Sequence, residues 1–301
     1  MIFAISRPKP MTPTQSQQPF LLVGAIEKRS VGDLRWTKKA PTRRARLGTD
    51  IFWFVSAWLC LLSAWELGVH LGWLNGRILP PPSQTLPYAF SGEVAVGFGM
   101  QHIGLFSAAA VTLMRVAAGM LGGLAASMIL AVAVVQWRPA RRLLMPLAQS
   151  LAPIAPVAWI PFTIAVIGIG GPAATFIVFI TVIGSMTLAL VAALDAIPEE
   201  YLRIARNLGT PTARLWWRVR LPAIAPSALV ALRMSFFGAW MAVLAGEMAG
   251  INSGLGYLII MAQQVYNMKL VMVGILTIGV IGFAVDRLLL IGGQRIVWWE
   301  R

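Results

Sequence analysis

Six stretches of the chain, each roughly 20 residues long and nearly free of charge, decide what it can become, because about 20 apolar residues in helical form cross a bilayer core. They run over about residues 51–74, 101–135, 144–169, 173–194, 223–248 and 271–291. Hydrophobic residues make up 58% of the 301 and charged residues 12%. A soluble globule carries about a quarter charged residues, so a water-soluble fold is excluded. The expectation is an all-α membrane protein with six transmembrane helices.

Charge sets the orientation. Of the 25 Lys and Arg, ten precede residue 50. The tail, the 138–142 turn, the 199–222 loop and the C-terminal segment together hold 21, whereas the alternate loops hold only Arg77 and Lys269. Basic loops stay on the cytoplasmic side, which predicts a membrane protein with both termini in the cytoplasm. The formal charge of +14 therefore follows topology and not nucleic acid, for which a basic stripe interleaved with aromatics on a soluble fold is missing. One cysteine, Cys60, and two histidines, His70 and His102, leave no material for a disulfide framework or a metal cluster.

Residues 1–48, rich in Pro, Gln, Ser, Lys and Arg, read as a mostly disordered cytoplasmic tail, and residues 49–301 as the membrane domain. The apolar patch Phe20–Ile26 is too short to span and suits an interfacial helix. No signal peptide is expected, since no apolar core follows the early basic residues. Pro80, Pro81 and Pro82 argue against a helix in the external loop 75–104. Gly119, Gly123 and Ser127 fall at i, i+4 and i+8, a stripe that lets another helix approach, and the row Gly238, Ala242, Gly246 and Gly250 reads the same way. The third span holds Pro146, Pro153, Pro156 and Pro161, so it faces protein or a pathway where freed carbonyls find partners.

Three of the charged residues inside or beside spans bear on a pathway. Arg233 stands eleven residues beyond Pro222, about 16 Å up a helix rising 1.5 Å per residue, and either guides an anion or pairs with carbonyls or a polar neighbour. Glu247, too far along the same helix to reach Arg233, either lines an outer gate with Asn252 and Ser253 or is exposed at the interface. Arg115 is expected to snorkel to the outer headgroups. No acid is expected at mid-span. That absence, with the lack of a repeat, disfavours the alternatives of an ion-coupled secondary transporter or a channel.

The loop 196–222 is longer than joining two spans requires, and loops of that kind carry function. In Glu199–Pro222, EEYLRIARNLGTPTARLWWRVRLP, five arginines (Arg203, Arg206, Arg214, Arg218, Arg220) accompany Trp216 and Trp217. Pro198, Glu199 and Glu200 suit a helix start, Gly209 a helix end, and Thr210–Pro211–Thr212 a second start, with helices expected over 202–208 and 213–219. Such a knob fits a pocket in a partner.

Permeases of ABC importers carry a cytoplasmic signature of Glu-Ala-Ala, three residues, Gly, nine residues and Ile-x-Leu-Pro. This chain resembles them: Arg203-Ile204-Ala205, three residues, Gly209, nine residues, Val219-Arg220-Leu221-Pro222. Arg203 and Ile204 depart from the pattern, whereas Ala205, Gly209, Leu221 and Pro222 keep it. The resemblance covers about residues 105–290 and narrows, through ILPPPSQT, PIAPVAWIPFTIAVIGIG and GEMAGINSGLGYLI, to nitrate, sulfonate and taurine importers. It implies a type I importer fold and a permease for a small anionic solute. The implied assembly has two copies forming a pore, each docking a coupling helix through Arg203, Ala205, Arg206, Gly209, Leu221 and Pro222 into an ATP-binding subunit. A periplasmic binding protein would deliver the solute. No G-x-x-x-x-G-K-[ST] motif occurs in the chain, so ATP and Mg would be used by the partner and no cofactor bound here.

Overall fold

The computed structural model describes residues 43–90, 95–96 and 103–297; the expected tail lies outside them apart from its last residues, which are helical, and the Phe20–Ile26 patch lies wholly outside. The chain divides into two units, Met1–Leu61 and Leu62–Arg301. In the first, the described residues form the opening of α1 (Arg43–His70), whose Phe52, Trp53, Phe54 and Trp58 are all exposed, as suits contact with lipid.

The second unit contains the core. After the end of α1 come α2 (Pro82–Phe90) and a two-residue antiparallel pairing of β1 (Ala95–Val96) with β2 (Ile103–Gly104). There follow α3 (Leu105–Gln136), α4 (Arg138–Leu151), a 3-10 turn over Pro156–Trp159, and α5 (Ile160–Ile167). Next are α6 (Gly171–Asp195), α7 (Glu199–Asn207), α8 (Thr212–Leu215), a π-helical turn over Trp216–Arg220 and α9 (Leu221–Met248). The last elements are α10 (Leu255–Gln264) and α11 (Met268–Ile296). Among the described residues, five helical stretches are long and apolar enough to cross a membrane, and six if the bent pair α4 and α5 counts as one.

Helix α6 is the axis of this unit, packed along α3 on one side and α9 on another. The small-residue stripe is what lets α3 so close. A Cβ on Gly119 would come within 2.6 Å of Val178, and one on Gly123 within 2.8 Å of Val182, so a side chain at either position would separate the helices. Ser127 extends the stripe and donates to the Ile183 carbonyl at 3.3 Å. Facing it, Ala174, Val178, Val182, Met186 and Leu190 of α6 join Phe236, Ala239 and Val243 of α9 in one buried cluster.

Two expectations are corrected here. The third crossing is not a continuous helix: α4 and the segment Pro156–Ile167 meet at 101°. Pro153 and Pro156 have no N–H for the carbonyls of Gln149 and Ala152, and the ladder stops there. Nor do the consecutive prolines forbid a helix in the loop 75–104, because Pro82 begins α2. Proline fits a first helical turn, where its missing N–H costs no bond. Glu66 of α1 accepts from the Ser83 N–H at 3.1 Å and from its hydroxyl at 2.8 Å, satisfying a donor at the start of α2. At the far end of that region Asn267 caps α11 and donates to the Tyr88 hydroxyl at 3.0 Å, fastening α2 to the start of the last span.

Candidate functional site

The loop between the fourth and fifth spans is built as a capped helix followed by a lever. Helix α7 begins after Pro198 with Glu199 and Glu200 in its first turn, where acids meet the positive end of the dipole. It ends in a Schellman motif: the Gly209 N–H bonds the Arg206 carbonyl at 2.9 Å and the Thr210 N–H the Ala205 carbonyl at 3.1 Å. This closure needs a left-handed residue at the turn, and Gly209 has φ +70°.

Beyond the turn, the sequence reading is corrected. No separate second helix over 213–219 exists; α8 runs through the π-helical turn directly into α9. Pro222 cannot donate to the Arg218 carbonyl four residues back, and the turn before it is wider, with the Leu221 N–H bonding the Trp216 carbonyl. Residues 212–248 are therefore a continuous helical stretch reaching from the loop through the full fifth span.

Three contacts hold this end of the molecule. Trp216 Nε1 donates to Gln136 Oε1 at the end of α3 at 3.2 Å, and the Arg220 guanidinium lies 4.4 Å from the centre of the Trp216 ring. Arg141 of α4 grips Asp195 at the end of α6 with two bonds, 3.0 and 2.6 Å. Leu215 is buried, and Leu202, Trp216 and Leu221 pack partly on the core. Trp216 thus ties the loop to the end of α3, and α8 continues into α9.

The outward side of the loop is a groove of about 550 Å³, lined among others by Tyr201, Ile204, Ala205, Leu208, Arg214 and Arg218. Tyr201, Ile204 and Leu208 are 57%, 58% and 79% exposed, an apolar stripe at helical spacing with no cover among the described residues. Sequence reasoning named Ala205 and the arginines but missed these three; their i, i+3, i+7 spacing was the available signal. Arg203 pairs with Glu199 one turn back at 2.8 Å in an exposed bond, and Arg206 is also exposed.

The candidate pathway residues are distributed differently from expectation. Arg233 is held by Asp286 of α11 through two bonds of 2.8 Å, which gives it a polar neighbour and corrects the expectation that no acid lies at mid-span. Glu247 is completely buried, not exposed at an interface. It accepts from Arg115 Nη1 at 2.8 Å and from the Gly256 N–H at 3.0 Å, and lies 2.9 Å from the Thr112 hydroxyl, which itself accepts from the Leu255 N–H. Arg115 does not snorkel; it is 9% exposed and also donates to the backbone and hydroxyl of Ser253. The glycines of the segment are explained by this latch, since a Cβ at Gly254 would overlap the Glu247 carboxylate and one at Gly256 would lie 2.7 Å from the Leu244 carbonyl. Asn252 alone of that group is exposed beside it.

Comparison with known proteins agrees with this architecture. The family described as binding-protein-dependent transport system inner membrane component matches residues 119–297, more than half of the chain. A probable ABC transporter permease of Brucella abortus strain 2308 is 32% identical over 189 residues, covering 63% of this chain and 76% of that protein. The taurine transport system permease TauC of Escherichia coli K12 is 24% identical over 80% of this chain and 86% of its own length. The nitrate import permease NrtB of Leptolyngbya laminosa is 30% identical over 64% and 70%. A solved chain of the MetNI methionine ABC transporter, in an inward-facing conformation, matches with a TM-score of 0.53 at 20% identity, covering 65% of this chain and 94% of that one. The fold is that of a type I importer permease, and the chain belongs to the family of binding-protein-dependent transport system inner membrane components, the permeases of ABC transporters.

Proposed function

We propose that this permease carries a small anionic solute of the nitrate, sulfonate or taurine class into the cell, as one of two identical copies, each driven by a separate ATP-hydrolysing subunit. A periplasmic binding protein delivers the solute, both termini lie in the cytoplasm, and the basic loop faces the ATPase. The observation that carries the proposal is the uncovered apolar stripe of Tyr201, Ile204 and Leu208 beside Arg214 and Arg218, on a capped helix continuous with the fifth span. A partner seated in that groove that closes on ATP would move α7 and α8 as one piece. The long helix 212–248 would carry that movement to mid-membrane, shifting the population from inward-open to outward-open.

An ion-coupled transporter would need a mid-membrane carboxylate free to take up an ion. Asp286, the mid-span acid, is engaged by both nitrogens of Arg233 that reach it, which favours the ATP-driven reading. The test is uptake of labelled nitrate, taurine and bicarbonate into proteoliposomes holding the complete complex, with the binding protein added outside and ATP inside. Gly209→Val forces a β-branched residue into the left-handed region and misplaces the turn, so it should lower ATP-driven uptake at least about tenfold while membrane insertion persists. Uptake by Gly209→Val at the wild-type rate, or uptake without ATP, contradicts the proposal.

A further inference from the structure

The break between α4 and α5 opens onto a cleft of about 430 Å³, bounded by α6 and α9, whose lining contains no charged side chain. Its polar side chains are neutral: the hydroxyls of Thr181, Ser185 and Ser235 and the indole of Trp159. Ser185 of α6 and Ser235 of α9 face one another with their oxygens 3.3 Å apart, and Thr181 stands one turn above Ser185. The Ser185 and Thr181 hydroxyls each reach a helix carbonyl, whereas beyond Ser185 the Ser235 hydroxyl contacts only the Met186 sulfur at 3.8 Å. Ser235 thus has the weakest partners of the three.

Depth matters. Ser185 is fourteen residues from the start of α6, and Ser235 fourteen from the start of α9, about 21 Å along each helix and so near mid-membrane. The irregular stretch 152–155 is exposed, and its Ala152 and Ile154 line the same cleft. Non-helical backbone facing lipid is not tolerated, so this wall must face water or protein. The approach is built in: a Cβ on Gly184 would touch the Ala152 backbone at 3.6 Å, which brings α6 against the break. The volume falls in the range of small-molecule sites, about 300–1,000 Å³.

Resting on the permease reading, we propose that the solute passes through this cleft, with the Ser185 and Ser235 hydroxyls replacing part of its hydration shell. The occupant is a small oxyanion or sulfonate that accepts hydrogen bonds from neutral donors. No cation sits in the path; Arg233, two residues before Ser235 and therefore on the opposite side of α9, is neutralised by Asp286. Without a fixed positive charge the anion is held weakly enough to leave, and selectivity stays with delivery.

The test uses single cysteines at Ser185 and Ser235 in the complete complex carrying Cys60→Ser, reconstituted in proteoliposomes and treated with a membrane-impermeant, negatively charged methanethiosulfonate. Ile129→Cys on the exposed face of α3 is the control. A thiol in a water-filled path ionises and reacts, whereas one in lipid or packed protein does not, so Ser185→Cys and Ser235→Cys should label at least about tenfold faster than Ile129→Cys. Labelling should also stop uptake of the anion that the unlabelled complex imports. Labelling at the control rate, as a second copy's helix filling the cleft would produce, overturns the proposal, and so does undiminished uptake after labelling. If the unlabelled Cys60→Ser complex imports with ATP and binding protein, such a result removes only the cleft assignment. If it imports nothing, the permease reading falls and the cleft proposal with it.

Discussion

Gly254→Ala should be among the most destabilising single-methyl changes in the chain, and its cost can be divided into two parts. Gly254 has φ +105° and ψ 176°, a region essentially reserved for glycine, so any side chain there costs about 1–3 kcal/mol in backbone strain. Its Cβ would also overlap the buried Glu247 carboxylate, which must move away from Arg115, Thr112 and the Gly256 N–H. Breaking a buried ion pair and leaving the charges uncompensated costs about 3–5 kcal/mol. Gly250→Ala is the matched control, because Gly250 has φ +124° but open space where a Cβ would stand. The two variants share the strain and differ in the clash. At about 2–4 °C per kcal/mol for a domain of this size, Gly254→Ala should melt roughly 6–20 °C below Gly250→Ala, read by fluorescence-detected size exclusion of heated, detergent-solubilised protein. Melting of Gly254→Ala within about 2 °C of Gly250→Ala would show that the latch does not hold the loop after α9 and would refute the reasoning.

Other consequences follow from the same geometry. Gly119→Ala places a methyl 2.6 Å from Val178 and should cost about 1–3 kcal/mol by overpacking, whereas Gly279→Ala, with nothing within 4 Å, should be neutral or stabilising; thermal melts of the pair check this. Asp286→Leu should lower the melting temperature by leaving Arg233 unpaired, and Arg233→Leu combined with Asp286→Leu should recover most of the loss, a non-additivity that a double-mutant cycle measures. Arg203→Gln removes only an exposed pair with Glu199 and should leave stability within about 0.5 kcal/mol, in contrast to Leu208→Glu, which should depress ATP-driven uptake without altering the melt.

How much of this was readable in advance depended on the range of the interaction. The crossings, the stripe of Gly119, Gly123 and Ser127 and the turn at Gly209 are written in local patterns of hydropathy, size and backbone freedom, and the structure keeps them. The Pro153 and Pro156 spacing warned of an unusual third span, but periodicity carries no bend angle, so 101° could not be foreseen. Partners distant in sequence were invisible. Arg115 and Glu247 are separated by 132 residues and Arg233 and Asp286 by 53, and no local pattern pairs either couple. The apolar stripe of α7 was overlooked because its arginines dominate the composition of the loop, although Tyr201, Ile204 and Leu208 lie on one face. The continuity of α8 with α9 was missed for another reason: a proline ordinarily marks a helix boundary, and here the π-helical turn before Pro222 absorbs it.

The most direct measurement places a single cysteine at Ile204, exposed in the groove of α7, in the assembled complex carrying Cys60→Ser, and asks what a short thiol-directed photocrosslinker captures there. A bond to the ATP-binding subunit, with a yield that changes when nucleotide is trapped, is the predicted result. A position 204 that stays open to water-soluble thiol reagents in the complete transporter and crosslinks to no ATP-binding subunit would contradict a permease moved by a separate ATPase through this loop.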